Sequence, residues 1–235
     1  DSRAFYKCQD LEQVNVGKGL QELGQDVFNY CDALQNIHVA DANVYFSSIS
    51  GVLFDNNAKT LLRVPTQKTG SYRIPKSVQT IGRGALQGCM VSKVVIQSGV
   101  TAIEEFAFRD CVNLTQISIP ASVMTLKEGA FFGCAGLQTV TVPGNVHTLG
   151  NSVFGNCKNL QRVELQNGVQ SIGWYVFADC PSLTEVKVTD SLESFGQDIF
   201  DGSAKAVLHC PIASVADVYA QENSLALAYT DSIAK

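Results

Sequence analysis

The chain has 235 residues, a formal net charge of -5 and an isoelectric point near 5.2. This acidic balance argues against a nucleic-acid binder, which needs a basic surface to neutralise phosphates. With 46% apolar and 17% charged residues, the composition excludes a disordered chain, and no apolar run approaches the roughly 20 residues of a membrane helix.

A repeat of about 23 residues runs along the sequence. Most successive cysteines are 22 or 23 residues apart, and each of the first seven follows a large apolar residue by three positions. Phe200 and Ser203 continue this column with serine in place of cysteine. The eight cysteines are Cys8, Cys31, Cys89, Cys111, Cys134, Cys157, Cys180 and Cys210.

Each repeat combines two kinds of periodicity. A V-x-V pair, such as Val140 and Val142, has the two-residue period of a strand. The F-x-x-C stretch has the spacing of a single helical or 3₁₀ turn. A unit of this length cannot bury its apolar edge alone, so successive units must stack and cover each other.

The unit F-x-x-C-x-x-L-x-x-V-x-V resembles the BspA-like leucine-rich repeats of surface and secreted proteins. Residues 74–82, 118–123 and 128–134 carry the resemblance. It implies an α/β solenoid of mostly short strands and turns, a right-handed leucine-rich-repeat horseshoe of ~23-residue repeats with a small C-terminal helical cap.

The predicted repeat array covers residues 1–210, with an irregular turn at about 45–75. There, apolar runs at 48–54 and 60–65 flank an Asp/Asn-rich connection, which predicts a β-hairpin. This hairpin is either a protruding recognition element or a spacer that lengthens one turn.

The predicted C-terminal cap covers residues 211–235. Val215, Val218 and Tyr219 indicate a short amphipathic helix with Ser214 as its N-cap, which would cover the last apolar edge. At the other end no comparable cap precedes Phe5, so we expect a leader or further sequence before Asp1.

The cysteine column is interpreted as buried thiols that act as small hydrophobic residues. Equivalent positions in successive turns form a column rather than pairs chosen for disulfide geometry. A serine at Cys134 would then place a polar group in an apolar site and cost roughly 1–3 kcal/mol. Cys210 lies outside the column and is either a reactive or paired thiol or a residue buried in the cap.

The sequence contains no pattern typical of a metal site, a cofactor site or a catalytic site. It has no C-x-x-C, and His38, His147 and His209 occupy different repeat positions. It also lacks G-x-S-x-G. The predicted protein is therefore not an enzyme and uses no cofactor.

A candidate partner-binding surface consists of the outward positions of the V-x-V strands. Arg162 is the clearest candidate for a central contact, because arginine and aromatic residues dominate protein interfaces. Trp174 either anchors a partner or packs on a neighbouring turn, and the rows themselves are either a binding surface or a solvated face. The candidate residues are Gln13, Asn15, Asn36, His38, Lys93, Gln116, Thr139, Arg162, Glu164, Glu185, Lys187 and Trp174.

The resemblance implies a non-enzymatic interaction or adhesion module of a cell-surface or secreted protein. Its expected partner is a protein, such as a host extracellular-matrix protein, with no nucleic acid and no membrane insertion, and the chain is expected to be a monomer. A passive structural spacer and a glycan-processing enzyme are the alternatives.

Overall fold

The computed structural model describes residues 1–230 and contains a β-solenoid of about nine turns with one short helix near its end. The V-x-V strands of most turns form an eight-stranded sheet, called sheet 1. Its strands, numbered in chain order, are β6 (Gly70–Arg73), β8 (Val91–Val95), β10 (Gln116–Ser118), β12 (Thr139–Val142), β14 (Arg162–Leu165), β16 (Glu185–Lys187), β18 (Val207–Cys210) and β19 (Ala226–Tyr229).

A second sheet of nine strands, called sheet 2, lies on another side of each turn. Most of its strands have only two residues. They are β3 (Phe46–Ile49), β4 (Val52–Asp55), β5 (Thr60–Arg63), β7 (Thr80–Ile81), β9 (Ala102–Ile103), β11 (Thr125–Leu126), β13 (Thr148–Leu149), β15 (Ser171–Ile172) and β17 (Ser194–Phe195). The first two strands, β1 (Gln13–Val16) and β2 (Asn36–Val39), form a separate parallel pair.

The repeat spacing sets the register of sheet 1. Thr139 pairs with Arg162 and Arg162 with Glu185, so residues 23 positions apart lie side by side in parallel strands. Along β12, Val140 and Val142 are buried while Thr139 and Thr141 are exposed, as the two-residue period requires. The predicted alternation therefore separates a buried face from a polar face.

The F-x-x-C segment forms hydrogen-bonded turns instead of the predicted helical or 3₁₀ turn. In each repeat, the residue two positions before the phenylalanine column and the residue directly before the cysteine column have a left-handed backbone, which prevents a helix from continuing. The first of these positions holds Arg3, Asp26, Gly84, Phe106, Gly129, Ser152, Tyr175 and Asp198; the second holds Lys7, Tyr30, Gly88, Asp110, Gly133, Asn156, Asp179 and Gly202. Backbone N–H groups of these turns donate to carbonyls of the next turn, as Phe108 does to Ala130 at 2.7 Å.

Stacked phenylalanines run through the core behind these turns. The ring centroids of Phe108 and Phe131 are 4.9 Å apart, and those of Phe131 and Phe154 are 5.6 Å apart. Phe177 and Phe200 continue the stack at similar spacing. Offset stacking of this kind adds to the stabilisation from burying each ring.

The cysteine column has a specific hydrogen-bonding role. The Cys134 thiol donates to the Phe108 carbonyl at 3.0 Å and the Cys157 thiol to the Phe131 carbonyl at 3.2 Å, in each case one turn earlier. Ser203 makes the same bond to the Phe177 carbonyl at 2.6 Å. Six members of the column are buried, but Cys8 is exposed, so the prediction of a buried thiol is wrong there.

The irregular segment of the predicted turn belongs to sheet 2. Strands β3, β4 and β5 pair in antiparallel fashion, and β5 continues into the parallel part of the sheet through β7. Val52, Phe54 and Leu61 are fully buried, so β4 and β5 pack into the solenoid, whereas Ile49 at the end of β3 is 45% exposed. Sheet 1 begins only after this segment, at β6.

The solenoid ends in a strand–helix–strand unit. Helix α1 (Val215–Glu222) begins after Ser214, whose hydroxyl accepts a hydrogen bond from the Asp217 N–H. Tyr219 stacks on Phe195 with a centroid distance of 4.2 Å. After the helix, β19 pairs with β18 in sheet 1.

The buried side of α1 differs from the predicted one. Ala216 and Ala220 are fully buried, whereas Val215 and Val218 are about half exposed. Small alanines allow the helix to approach the last turn closely, which leaves the valines on its outer side. The predicted cap extends to residue 235, and its last five residues lie outside the described part of the chain.

Candidate interaction surfaces

Sheet 1 brings most of the predicted surface residues together on its exposed face. They form two neighbouring rows. The first row contains Lys93, Gln116, Thr139, Arg162 and Glu185, and the second contains Glu164 and Lys187, beside which lie Ser118 and Thr141, outside the predicted set.

Ion pairs link neighbouring strands within this face. Arg162 Nε lies 2.7 Å from Glu185 Oε2, and Lys187 Nζ lies 3.3 Å from Glu164 Oε1. Within each pair the positive and the negative side chain neutralise each other. Exposed pairs of this kind contribute little to stability. The predicted central contact, Arg162, is therefore already engaged by its neighbour.

The remaining predicted residues lie elsewhere. Gln13, Asn15, Asn36 and His38 belong to the separate pair of β1 and β2, which is not continuous with sheet 1. The neighbour of β8 in sheet 1 is β6, whereas the predicted rows run directly from Asn36 to Lys93. The repeat pattern does not predict β6, because this strand lies in the gap of 58 residues between Cys31 and Cys89.

Trp174 follows β15 of sheet 2 and is not part of the polar face of sheet 1. Its side chain is 53% exposed. The indole lies directly against Gly196 of the next turn, where any side chain would collide with it. Trp174 thus packs on a neighbouring turn and still presents half of its surface to solvent.

A group of cations and aromatic rings lies on the side of the turns, in the N-terminal half. We call it the cation–aromatic patch. It consists of Arg3, Tyr6, Lys7, Tyr30, Arg83, Phe106, Arg109 and Phe132.

Each cation of the patch lies over one or two rings. The Arg109 guanidinium is 5.4 Å from the Phe106 ring and 5.1 Å from the Phe132 ring, and Arg83 is 5.1 Å from Phe106. Lys7 Nζ lies 5.4 Å from the Tyr6 ring and 5.9 Å from the Tyr30 ring, which contact each other. Such contacts hold long cationic side chains over flat rings, which reduces their freedom before any partner arrives.

The patch carries more positive than negative charge. Two carboxylates form ion pairs with its cations: Asp26 with Arg3 at 3.9 Å and Arg83 at 3.4 Å, and Asp110 with Arg109 at 3.3 Å. The four cations outnumber these two carboxylates, and Glu105, which pairs with Lys127, also interacts electrostatically with Arg83. The patch lies outside the strands from which the binding surface is predicted. The available signal in the sequence was Tyr6, Arg109 and Phe132, which directly follow members of the phenylalanine column.

Other classes of site find little support in the described structure. Across residues 1–230, no three His, Cys, Asp or Glu side chains are grouped so that they could hold a metal ion. His147 Nδ1 lies 2.9 Å from the Gly168 carbonyl, and His38 is exposed on β2. In the same part of the chain, no helix has the length and apolar character needed to cross a membrane.

A family model for the BspA type leucine-rich repeat region matches residues 1–78 and 79–206 in six copies. The chain belongs to this family. The match spans both the regular turns and the segment that contains β3, β4 and β5, so the BspA-type repeat includes the irregular part of the solenoid. No curated protein matches the sequence.

Solved structures show the same fold as this BspA-type chain. A pneumococcal vaccine antigen, PcpA, is 24% identical with a TM-score of 0.81, and the match covers 94% of this chain and 56% of the antigen. A leucine-rich-repeat protein of Eubacterium ventriosum is 23% identical (TM-score 0.63; 85% of this chain and 48% of the other). A leucine-rich cell surface protein of Faecalibacterium prausnitzii is 21% identical (TM-score 0.62; 95% and 49%). The chain thus spans about half the length of these proteins.

Proposed function

We propose that this chain is a non-enzymatic interaction module of a cell-surface or secreted bacterial protein, and that it binds an acidic surface of a protein partner. A host extracellular-matrix protein is the partner class that we favour. Family membership supports surface display, because one of the solved relatives is named as a cell surface protein. The cation–aromatic patch is the observation that carries the binding proposal.

Its physical basis is preorganisation. A partner loses affinity when it must immobilise flexible side chains, at about 0.5–1.5 kcal/mol for each one. Arg83 and Arg109 already lie over Phe106, and hydrogen-bonded turns fix the backbone beneath them. Arginine and tyrosine are also the residues that most often dominate protein interfaces.

A binding experiment distinguishes the patch from the polar face of sheet 1. The purified chain is tested by biolayer interferometry against immobilised matrix proteins and mucin at two salt concentrations. The patch variant carries Arg83→Gln and Arg109→Gln, and the matched control carries Arg73→Gln and Arg162→Gln, which removes two arginines from sheet 1.

We expect saturable binding that the patch variant weakens at least tenfold and that the control leaves within twofold. The affinity should fall as salt rises, because screening weakens charge attraction. Equal loss in both double variants would mean that overall charge, rather than the patch, controls binding. A Trp174→Ala variant tests the anchor role of that residue separately.

A structural spacer is the second candidate function, and the ion pairs of sheet 1 favour it. Arg162 and Lys187 are neutralised by neighbouring strands, as expected of a solvated face that recognises nothing. The absence of binding across the whole panel, by a chain whose fold is intact by circular dichroism, would favour the spacer.

A further inference from the structure

A second group of exposed aromatic residues lies on the turns in the C-terminal half of the solenoid. Trp174 and Tyr175 are 53% and 41% exposed. Three exposed aspartates lie in the same turn or in the next one. We call this group the acidic–aromatic patch. It consists of Trp174, Tyr175, Asp179, Asp198 and Asp201.

The carboxylates of this patch lie near one another and have no cationic partner. A hydrogen bond to Asp198 raises the pKa of Tyr175, and the charge of Asp201 adds to this effect. The Asp179 N–H donates to the Asp201 carbonyl at 2.7 Å. Among residues 1–230, none of these three carboxylates forms an ion pair, and Lys158 reaches only the backbone carbonyl of Asp179, at 3.4 Å. The patch therefore places uncompensated negative charge beside exposed rings.

The two patches lie on the same side of the solenoid, because their members occupy equivalent positions in different turns. The shared columns are the first left-handed position with Arg3, Phe106, Tyr175 and Asp198, the second left-handed position with Lys7, Tyr30 and Asp179, and the position directly after the phenylalanine column with Tyr6, Arg109, Phe132 and Asp201. Along this side, a group of cations in the first turns gives way to a group of aspartates in the last turns, with aromatic rings in both.

Two copies of this side are complementary when the solenoids run in opposite directions. A twofold axis then places the first turns of one copy opposite the last turns of the other, and the same contact is made twice. Arg3 and Lys7 of one copy face Asp198 and Asp201 of the second copy, while the Phe106 region lies near the axis. In the parallel arrangement each patch would face itself, and like charges across an interface are unfavourable.

We propose that a second copy of this chain docks on this side of the solenoid, in an antiparallel dimer that pairs the cation–aromatic patch of each copy with the acidic–aromatic patch of the other. The inference rests on the proposed role of the cation–aromatic patch in binding an acidic protein surface, and it names one such surface. Contact of this kind links copies that are displayed on neighbouring cells.

The contact is expected to be weak. The two left-handed columns are only four residues apart along the chain, so the strip is narrow and buries less than the roughly 800 Å² per partner of a stable complex. Its charged groups are exposed, and salt screens them. We expect a dissociation constant of roughly 0.1–1 mM, so the dilute chain is a monomer, as the sequence predicts. Many copies on two facing surfaces add their contacts together.

Charge reversal tests the pairing directly. The basic-reversed variant carries Arg3→Glu and Lys7→Glu, and the acid-reversed variant carries Asp198→Arg and Asp201→Arg. Sedimentation equilibrium measures the dimerisation of each variant, alone and in an equimolar mixture, at concentrations up to about 1 mM, where a contact of this strength is populated. Circular dichroism verifies that each variant is folded.

Two control variants carry the same changes of charge outside the strip. Arg73→Glu with Lys93→Glu reverses two exposed cations of sheet 1, and Asp190→Arg with Glu193→Arg reverses two exposed carboxylates of the C-terminal half. We expect both controls to dimerise within twofold of the unchanged chain, because none of these side chains lies in the shared columns.

We expect each reversed variant alone to dimerise at least tenfold more weakly than the unchanged chain. The equimolar mixture should recover the affinity to within about threefold. In a mixed dimer, the acidic first turns of one variant face the basic last turns of the other, and the two unchanged patches meet at the opposite end. Raising the salt concentration should weaken dimerisation of the unchanged chain, because screening reduces the attraction between the patches.

The proposal is overturned if the unchanged chain remains a monomer over the whole concentration range, or if the mixture dimerises no better than its components. Association that continues beyond the dimer would also overturn it, since an antiparallel twofold contact is closed. The acid-reversed variant separates this inference from the matrix partner, because it keeps the cation–aromatic patch. A loss of dimerisation with matrix binding within twofold supports both proposals, whereas dimerisation without matrix binding supports this one alone.

Discussion

Replacing Cys134 by alanine should lower the free energy of unfolding by about 1–2 kcal/mol, because it removes a buried sulfur from the core and one of the two hydrogen bonds that the Phe108 carbonyl accepts. The thiol is fully buried and donates to the Phe108 carbonyl at 3.0 Å. Burial raises the pKa of Cys134 well above its usual range, so the proton is present at neutral pH. The expected loss is small because a thiol is a weak donor and because the Phe108 carbonyl keeps its hydrogen bond from the Cys111 N–H at 3.2 Å.

Replacing the same residue by serine should change stability by less than about 1 kcal/mol, since a hydroxyl can make the same bond. Ser203 already does so, with a shorter bond to the Phe177 carbonyl. The sequence alone predicts a purely apolar site at Cys134 and a penalty of roughly 1–3 kcal/mol for serine. The carbonyl acceptor reverses that expectation.

Urea unfolding followed by circular dichroism measures both variants, with Cys8→Ala as the matched control in the exposed member of the column. The urea midpoints of the variants are compared where the slope of unfolding free energy against urea is the same for each. A change in this slope would indicate that the repeat array unfolds in parts. If Cys134→Ser were as destabilised as Cys134→Ala, the hydrogen bond would have no measurable role. No loss in either variant would refute the tight packing of the column as well.

Three further predictions concern separate parts of the solenoid. Gly129→Ala should lower the free energy of unfolding by more than Gly70→Ala in a urea titration; both have a positive φ, but only the new Cβ at 129 meets the Phe106 ring, at 2.5 Å. A backbone N–H before α1 is the main cause that lowers the pKa of Asp217. The stability that ionised Asp217 contributes should be complete above about pH 5, and it should be lost as pH falls through the lowered pKa of the native state. The melting temperature of Asp217→Asn should therefore depend less on pH in the acid range than that of the unchanged chain. Native labelling with a thiol reagent should modify Cys8 rapidly and the buried cysteines only after unfolding.

The regular turns were predictable in detail because one spacing determines both burial and register. The 23-residue repeat places Arg162 beside Glu185 and Glu164 beside Lys187, and the structure has the same pairing. Alternation within β12 likewise gives its buried and exposed residues without further information. Local periodicity is sufficient wherever a turn contacts only copies of itself.

Features that depend on contacts between unlike segments could not be predicted. Strand β6 has no cysteine to mark its turn, so its place in sheet 1 followed only from pairing with β8. Glycines mark some of the left-handed positions in the sequence, as Gly84 and Gly129 do in one column. Phe106 and Tyr175 in the same column are also left-handed, but their residue types do not indicate it. Arg63 is buried where β5 meets the first two turns and contacts Asn29, an arrangement that no repeat pattern describes.

The parallel arrangement of the turns also has a mechanical consequence. Each turn bonds to the turns before and after it, through residues about 23 positions apart. A pull on the two ends of such a chain loads these bonds one turn at a time, as when a coil is unwound from its end. Every turn released lengthens the chain by roughly 75 Å, because extended residues span about 3.3 Å each. A solenoid of this kind would yield to tension in steps, and stretch many times its own length before the last turn gave way.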